Sequence, residues 1–436
     1  MASSDRIDFD RALQIARQKV RENWGVLGDE VLLVRDLLGR LRILLPERPG
    51  STTKKAYDDF ADDFSGALGP FSYSKERTLL FGDQLLEGHA LLQSPDRRRI
   101  LEEGSRSLWL LDRQLTGLDW ERPPLERETQ NRRVTFFGIK GGVGRSTALI
   151  IWAWRLAKEG KNVLIFDLDL ESPGTSSTLL PTDVLPEYGI VDWFVENAVG
   201  QADALRASMV ASSPLAKDLG GEIRVVPAFG SATGDYLPKL ARCYLDLNAG
   251  GAPLQFGERL QRMVEQVERE EQPDVVFLDS RAGLHDIAAV AVTRMDADTF
   301  LFAVESTQTW AAYDLLFRHW KSHPQLSAFR ERLQMVASMV PETGGEAYLS
   351  RFREHAWDLF RENVYDDADA VDSDAFNFNL DNDEGPHSPL PILWSRALQE
   401  FDPVEDIEGL SEELANTAMG RFVEGAKRFV FSEEET

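Results

Sequence analysis

The sequence predicts an α/β fold: a mostly parallel, doubly wound sheet with helices on both faces and a ligand site at the carboxyl ends of its strands. Two features lead to this prediction. Short apolar runs that end in glycine, a carboxylate or a turn are typical of buried parallel strands; they are 134–139, 163–169, 273–279, 299–304 and 333–340. Helical segments alternate with them, beginning with the apolar stretch from Ser146 to Glu159, which Gly160 ends. Strands that alternate with helices in this way indicate βα units.

The loop between the first of these strands and the first helix is the most informative segment. It reads Lys140-Gly141-Gly142-Val143-Gly144-Arg145-Ser146-Thr147. Its glycines let the backbone approach a polyphosphate closely, and the loop and the helix N-terminus present N–H groups to an anion. A tight turn without a ligand is the alternative, but it leaves the lysine and the two hydroxyls without a role. We therefore predict that nucleotide phosphates bind along the loop, on Gly141, Gly142, Val143, Gly144, Arg145, Ser146 and Thr147. The Ser146 hydroxyl is then in the position of a ligand to a phosphate-bound Mg²⁺.

Carboxylates follow two of the other strands. Asp167 and Asp169 end the second run, and Asp279 ends the third. Because the carboxyl ends of parallel strands meet at one edge of the sheet, these side chains are candidates for the same site as the loop. Solvated carboxylates at strand ends are the alternative. Arg281, just after Asp279, is either a phosphate sensor or a surface arginine.

These motifs resemble a known family. K-G-G-V-G-R-S-T is similar to the deviant Walker A loop, K-G-G-x-G-K-[ST]-T, of the ParA/MinD-like P-loop ATPases. The run to Asp169 resembles that family's second strand and switch I, and the run to Asp279 with Ser280–Gly283 resembles its Walker B strand and switch II. The resemblance covers about 134–340. It implies a P-loop NTPase fold, with ATP and Mg²⁺ as cofactors.

The resemblance also implies roles for individual residues. Lys140 reaches the nucleotide of a second subunit in an ATP-dependent homodimer, and Asp169 positions the attacking water. Ser146, Asp167 and Asp279 are the implied metal residues. With Arg145, Lys140 and Asp169 make up the predicted catalytic set.

Three departures from the family pattern alter the expected chemistry. Arg145 stands where the second lysine is usual, and Ile139 stands where a glycine is common. In relatives, one strand carries an asparagine that reads adenine, whereas the matching strand here has Ser338 and Met339. The resemblance therefore implies a nucleoside triphosphate more firmly than it implies adenine as its base. Arginine keeps its charge and binds phosphate bidentately, but its planar group is bulkier than an ammonium. We therefore expect nucleotide binding to survive more readily than fast hydrolysis, which makes the chain at most a weak ATPase.

Composition restricts the location and the partners. No apolar run in the 436 residues approaches the roughly 18 needed to cross a bilayer. The first ten residues are not a signal peptide, and Cys243 is the sole cysteine, so we expect a cytoplasmic protein. The net charge is −25, and the residues from 366 onward include 19 acidic against 4 basic ones. DNA and anionic membranes attract basic surfaces, so we expect no membrane partner, and the charge disfavours DNA.

The landmarks predict four segments. Residues 1–120 form a small α+β module of order α-β-β-α-β-β, and 121–133 form a linker. Residues 134–365 form the ATPase core with an insertion at 182–253, and 366–436 form an acidic loop and a packed C-terminal helix. In the module, Arg97-Arg98-Arg99 is expected on a solvated helix face rather than on nucleic acid, because acidic residues flank it. Residues 366–391 lack periodicity and are either a mobile acidic loop or a lid near the nucleotide.

Three functions are compatible with this reading. The first is a slowly hydrolysing, ATP-dependent dimeric switch whose N-terminal module or acidic tail binds a protein partner. The second is a nucleotide-binding scaffold that does not hydrolyse, with Arg145 locking the bound state. The third, a DNA-partitioning ATPase, is disfavoured by the charge.

Overall fold

The fold is described from a computed structural model. It describes residues 6–48, 50, 53–248, 253–367, 375–398 and 412–431. The chain divides into two compact units, Met1–Leu118 and Asp119–Thr436. In the described residues, no helix combines the length and the apolar character that crossing a membrane requires.

The first unit is a five-stranded sheet with helices packed on both faces. Its strands are β1 Glu30–Arg35, β2 Leu41–Leu45, β3 Leu79–Phe81, β4 Arg98–Glu103 and β5 Arg106–Asp112. Its helices are α1 Phe9–Glu22, α2 Trp24–Leu27, α3 Lys54–Leu68, α4 Lys75–Thr78 and α5 Gly88–Leu92. The strand order is β3-β2-β1-β5-β4. β1 and β2 form the predicted antiparallel hairpin, and apolar residues of α1 and α3 pack with those of β1, β2 and β5.

The predicted helical position of Arg97-Arg98-Arg99 is wrong, because Arg98 and Arg99 begin strand β4. β4 pairs antiparallel with β5. The two strands are joined at Gly104, whose φ of 63° is the left-handed conformation that such short hairpin turns require. The guanidinium of Arg97 lies 4.3 Å from the ring centre of Trp109 on β5. The arginine run therefore packs against an aromatic ring of the neighbouring strand and does not lie on a helix.

The second unit contains the predicted mostly parallel sheet. The strands are β6 Arg132–Gly138, β7 Val163–Asp167, β8 Ala211–Ser212, β9 Ile223–Val226, β12 Val275–Asp279, β13 Asp298–Ala303, β14 Leu333–Val340 and β15 Leu390–Leu393, with a separate pair β10 Leu247–Asn248 and β11 Pro253–Leu254. The order of the main sheet among the described strands is β15-β14-β13-β6-β12-β7-β9-β8. Every neighbouring pair is parallel except β8 with β9 at the edge.

Helices cover both faces of this sheet, as a doubly wound fold requires. On one face, α6 and α14 pack with Val134, Phe136 and Phe277 of the central strands. On the other, α8 and α10 pack with one set of strand residues and α12 and α13 with another. The helices of this unit are α6 Arg145–Lys158, α7 Thr175–Leu179, α8 Ile190–Ala198, α9 Tyr236–Cys243, α10 Phe256–Glu271, α11 Asp286–Ala289, α12 Thr307–Lys321, α13 Gly345–Asn363 and α14 Glu412–Phe431.

The segment predicted as a linker at 121–133 is instead a packed part of the second unit. Arg122 and Arg133 are buried, with 4% and 1% of their surfaces exposed. Arg133 donates to both carboxylate oxygens of Glu268 at 2.7 and 2.8 Å. Arg294 donates to Asp119, two residues before the segment. Buried ion pairs hold such a charge-rich stretch against the domain, and their partners are far away in the sequence.

Three further segments can be compared with their predictions. The insertion at 182–253 supplies β8 and β9, which extend the main sheet. The described part of the acidic stretch packs on the domain: Trp357 of α13 donates to the Phe378 carbonyl at 2.8 Å, and residues 368–374 lie outside the described residues. The C-terminal helix is packed as predicted, since Met419, Phe422 and Ala426 are buried.

Candidate functional site

The loop after β6 has the backbone geometry of an anion site. Gly142 and Gly144 have φ angles of 72° and 76°, in the left-handed region that favours glycine. Space around both is open, since a Cβ built on either would meet no atom within 4 Å. Gly144 is the N-cap of α6, and no side chain caps that helix. The first N–H groups of a 14-residue helix are therefore available to an anion.

Exposure differs sharply along this loop. Lys140, Gly141 and Gly142 are exposed, whereas Val143 is buried and anchors the loop in the core shared with α6. Gly144, Arg145, Ser146 and Thr147 are half-buried. Ile139, at the position where the family pattern favours glycine, is buried on the opposite face of the sheet.

The guanidinium group of Arg145 forms hydrogen bonds with two carboxylates. Its Nε donates to Asp279 Oδ1 at 2.9 Å, and its Nη2 to Asp169 Oδ2 at 3.4 Å. Its side chain is only 10% exposed. Arg145, a residue of the loop, thus contacts two of the three predicted carboxylates. The sequence motif by itself does not predict this contact.

Asp279 also collects two hydroxyl groups. Ser146 Oγ donates to Asp279 Oδ2 at 2.9 Å, and Thr175 Oγ1 donates to the same oxygen. Carboxylate and hydroxyl oxygens are the donors that Mg²⁺ prefers, so this set fits the metal that the family resemblance implies. The guanidinium of Arg145 is hydrogen-bonded to the other oxygen of the same carboxylate.

Asp167 is fully buried and supports the loop that follows β7. Its Oδ2 accepts hydrogen bonds from the backbone nitrogen and the hydroxyl of Ser176, at 2.8 and 2.5 Å. Its Oδ1 accepts from the Asp169 nitrogen at 3.3 Å. Burial, and after it the neighbouring Asp279 carboxylate, raise the pKa of Asp167. Asp167 therefore fixes the shape of the loop that carries Asp169.

Asp169 keeps one oxygen available. Its Oδ2 accepts from Arg145, while its buried Oδ1 has no hydrogen-bond partner among the described residues. Burial raises the pKa of Asp169, and the nearby Arg145 acts in the opposite direction. A buried oxygen without a donor is a place where a bound water or ligand group gains a hydrogen bond.

A second cluster surrounds Glu171 and joins the loops that follow β7 and β12. Glu171 Oε1 accepts from the hydroxyl of Tyr244 at 2.7 Å and pairs with Arg281 at 2.6 Å. His285 Nε2 lies 3.5 Å from the same oxygen, and its ring contacts that of Tyr244 with centroids 4.6 Å apart. Arg281 thus binds a neighbouring loop instead of extending as an isolated surface arginine. Burial lowers the pKa of His285.

Sequence reasoning missed Thr175, Tyr244 and His285. Thr175 directly follows Pro173-Gly174 behind the second strand, so a search for hydroxyls near strand ends would have suggested it. Tyr244 comes from the insertion, and only the packing of that insertion brings it to Glu171.

We expect the Glu171 cluster to contribute measurably to the free energy of unfolding. Glu171→Gln weakens three contacts on one oxygen, so we expect the free energy of unfolding to fall by about 1–3 kcal/mol, the usual range for hydrogen bonds to charged groups. Urea unfolding measures it. Glu354→Gln, an exposed site on α13, is the matched control and should change little. Equal losses in the two variants would show that the cluster contributes nothing specific.

A known protein family matches the part of the chain that contains this loop. Residues 134–342 match the sequence model of a family described as the CobQ/CobB/MinD/ParA nucleotide binding domain. A search of curated proteins found no match.

Solved structures with similarity to this chain include three nucleotide-related proteins. McdA from Cyanothece in an ATP complex is 13% identical, with 69% of this chain and 96% of that chain covered and a TM-score of 0.42. A ParA family ATPase from Chlorobium tepidum is 15% identical, with coverages of 67% and 99% and a TM-score of 0.42. Cobyrinic acid a,c-diamide synthase from Mycobacterium smegmatis with an ATP analog and magnesium is 18% identical, with coverages of 52% and 82% and a TM-score of 0.35.

Proposed function

We propose, from the match of residues 134–342 to the CobQ/CobB/MinD/ParA nucleotide binding domain, that this chain is an ATP-binding, slowly hydrolysing dimeric switch. In this proposal ATP and Mg²⁺ bind at the loop after β6, and the nucleotide state controls a protein partner. The observation that carries it is the uncapped N-terminus of α6 beside an open, glycine-rich loop. A polyphosphate is the anion that such a loop can follow over several residues.

Residue roles follow from the contacts around the loop. The backbone from Gly141 to Thr147 binds the phosphates. Ser146 and Asp279 hold Mg²⁺, with Asp167 behind them shaping the site. Bound Mg²⁺ would neutralise phosphate charge and orient the phosphates. Asp169, with its unpartnered oxygen, positions the attacking water.

Charge supports a protein partner over DNA. Residues 1–118 contain 18 basic and 19 acidic residues, so nearly all of the net charge of −25 lies in residues 119–436. A nearly neutral first unit and an acidic C-terminal segment are the two candidate docking regions. A strongly acidic second unit disfavours electrostatic attraction to nucleic acid.

The contact of Arg145 with Asp279 and Asp169 favours one alternative, a scaffold that binds nucleotide without hydrolysing it. Single-turnover hydrolysis with excess protein separates the two functions. If arginine costs turnover through misplaced charge, Arg145→Lys raises the hydrolysis rate, since a misplacement of about 1 Å can cost about a hundredfold. A wild-type chain that converts bound ATP faster than this variant would contradict the expected slow chemistry.

Thermal denaturation tests nucleotide binding directly. At 100 times its Kd, ATP with Mg²⁺ should stabilise the protein by about 2.7 kcal/mol. Gly144→Val should remove this ATP-dependent shift, because a β-branched residue cannot easily keep the left-handed backbone and its side chain enters the loop. Gly160→Val is the matched control, since Gly160 also has positive φ and open surroundings but lies beyond the other end of α6. An absent shift in the wild-type protein at millimolar ATP would remove the site assignment.

A further inference from the structure

We propose that Arg145 is a built-in counter-ion of Asp169 and Asp279, and that an arriving nucleotide transfers it to the phosphates. It follows that the nucleotide binds without a divalent ion and that the metal enters afterwards. This inference rests on the proposed nucleotide site and specifies the order in which that site fills.

The geometry shows a side chain committed to two carboxylates. Two different nitrogens of Arg145 reach two different aspartates, at 2.9 Å to Asp279 and 3.4 Å to Asp169. The side chains of these aspartates are 1% and 15% exposed. A fork of N–H groups that spans two buried carboxylates is a specific arrangement for arginine.

These carboxylates need a cation. Asp279 pairs in register with the fully buried Asp167 on the neighbouring strand, and adjacent strands are only about 4.8 Å apart. Asp169 follows two residues later. Within the described part of the chain, Arg145 is the basic residue that forms ion pairs with Asp169 and Asp279. A buried carboxylate without a counter-ion is strongly unfavourable, so Arg145 stabilises the ionised forms of Asp169 and Asp279.

The same carboxylate cannot readily serve Arg145 and a metal together. Asp279 already receives Nε of Arg145 on one oxygen and the hydroxyls of Ser146 and Thr175 on the other. A carboxylate has about four acceptor positions, and three are used here. A divalent ion beside a fixed guanidinium would also be repelled by it. Arg145 therefore shields Asp279 from free Mg²⁺ until it moves.

A polyphosphate provides the means to move it. Arg145 is the first residue of α6, so its backbone borders the phosphate loop whichever way its side chain points. A guanidinium group can bind two phosphate oxygens bidentately, in the same way that it binds a carboxylate. A nucleotide with several negative charges can therefore draw Arg145 from the aspartates, which leaves Asp279 and Ser146 open to a metal.

Calorimetric titration of the full-length protein tests this order of binding. In excess EDTA, we expect the wild-type Kd for ATP to stay within about threefold of its value with millimolar MgCl₂. For Arg145→Lys, removal of Mg²⁺ should weaken ATP binding about tenfold or more, because a single ammonium cannot span the two aspartates and leaves them more dependent on a metal. Arg155→Lys is the matched control. Arg155 lies on the same helix but donates a hydrogen bond to Asn416, so this variant should behave like wild type.

A second measurement uses Mn²⁺ alone as the probe, without nucleotide. By electron paramagnetic resonance, the wild-type protein should bind about tenfold more weakly than Arg145→Ala, which uncovers Asp169 and Asp279. Equal Mn²⁺ binding by the two proteins would overturn the inference. A tenfold loss of wild-type ATP affinity in EDTA would overturn it as well, while leaving the nucleotide site intact. Absence of ATP binding with and without Mg²⁺ would instead refute the proposed function, and this inference with it.

Discussion

Lys140→Ala should abolish an ATP-dependent dimer while leaving ATP affinity within about threefold of the wild-type value. The lysine is exposed, and no described acidic residue forms an ion pair with it. Arg145, by contrast, forms ion pairs with Asp279 and Asp169 of its own chain. A charged, unpaired side chain at the open side of the phosphate loop is therefore best used on the nucleotide of a second chain. Multi-angle light scattering with and without ATP measures the change of mass.

Lys217→Ala provides the matched control, because Lys217 is also exposed and lies in the same unit. It should retain the ATP-dependent dimer. A wild-type chain that stays monomeric at high concentration with ATP bound would contradict the role in trans. Lys140 would then be a local phosphate contact or a solvated loop residue.

Arg133→Ala should lower the free energy of unfolding by about 3–5 kcal/mol, the cost of leaving a buried charge without its partner. The side chains of Arg133 and Glu268 are both 0% exposed. Arg133 also donates to the Met295 carbonyl at 3.1 Å, so its loss affects three elements of the second unit. Urea unfolding followed by circular dichroism measures the effect.

The control for this prediction is Arg318→Ala. Arg318 is 68% exposed and pairs with Asp314 one helical turn away, so its loss should cost at most about 1 kcal/mol. In the double variant Arg133→Met with Glu268→Leu, much of the stability should return, because no charge is left buried. A single Arg133→Ala variant as stable as the Arg318 control would contradict the importance of the packed segment at 119–133.

The sequence predicted the fold of the second unit because its signals are local. Buried parallel strands appear as short apolar runs, and the phosphate loop is a continuous segment of adjacent residues between a strand and a helix. The local structure and the contacts of charged residues were less predictable from the sequence. The run at Arg97 looked like a solvated helix face, yet packing on Trp109 and the turn at Gly104 made it a strand.

The candidate site divides in the same way. The sequence alone determined the loop from Lys140 to Thr147 and the strand-end carboxylates, because each is set by residues adjacent in the chain. Tertiary structure alone decided where Arg145 points, since Asp279 lies 134 positions away. It likewise brought Thr175 to Asp279 and buried Arg133 beside Glu268. A buried charge takes its direction from the nearest opposite charge in the folded chain, and the distance between them along the sequence carries no information about that choice.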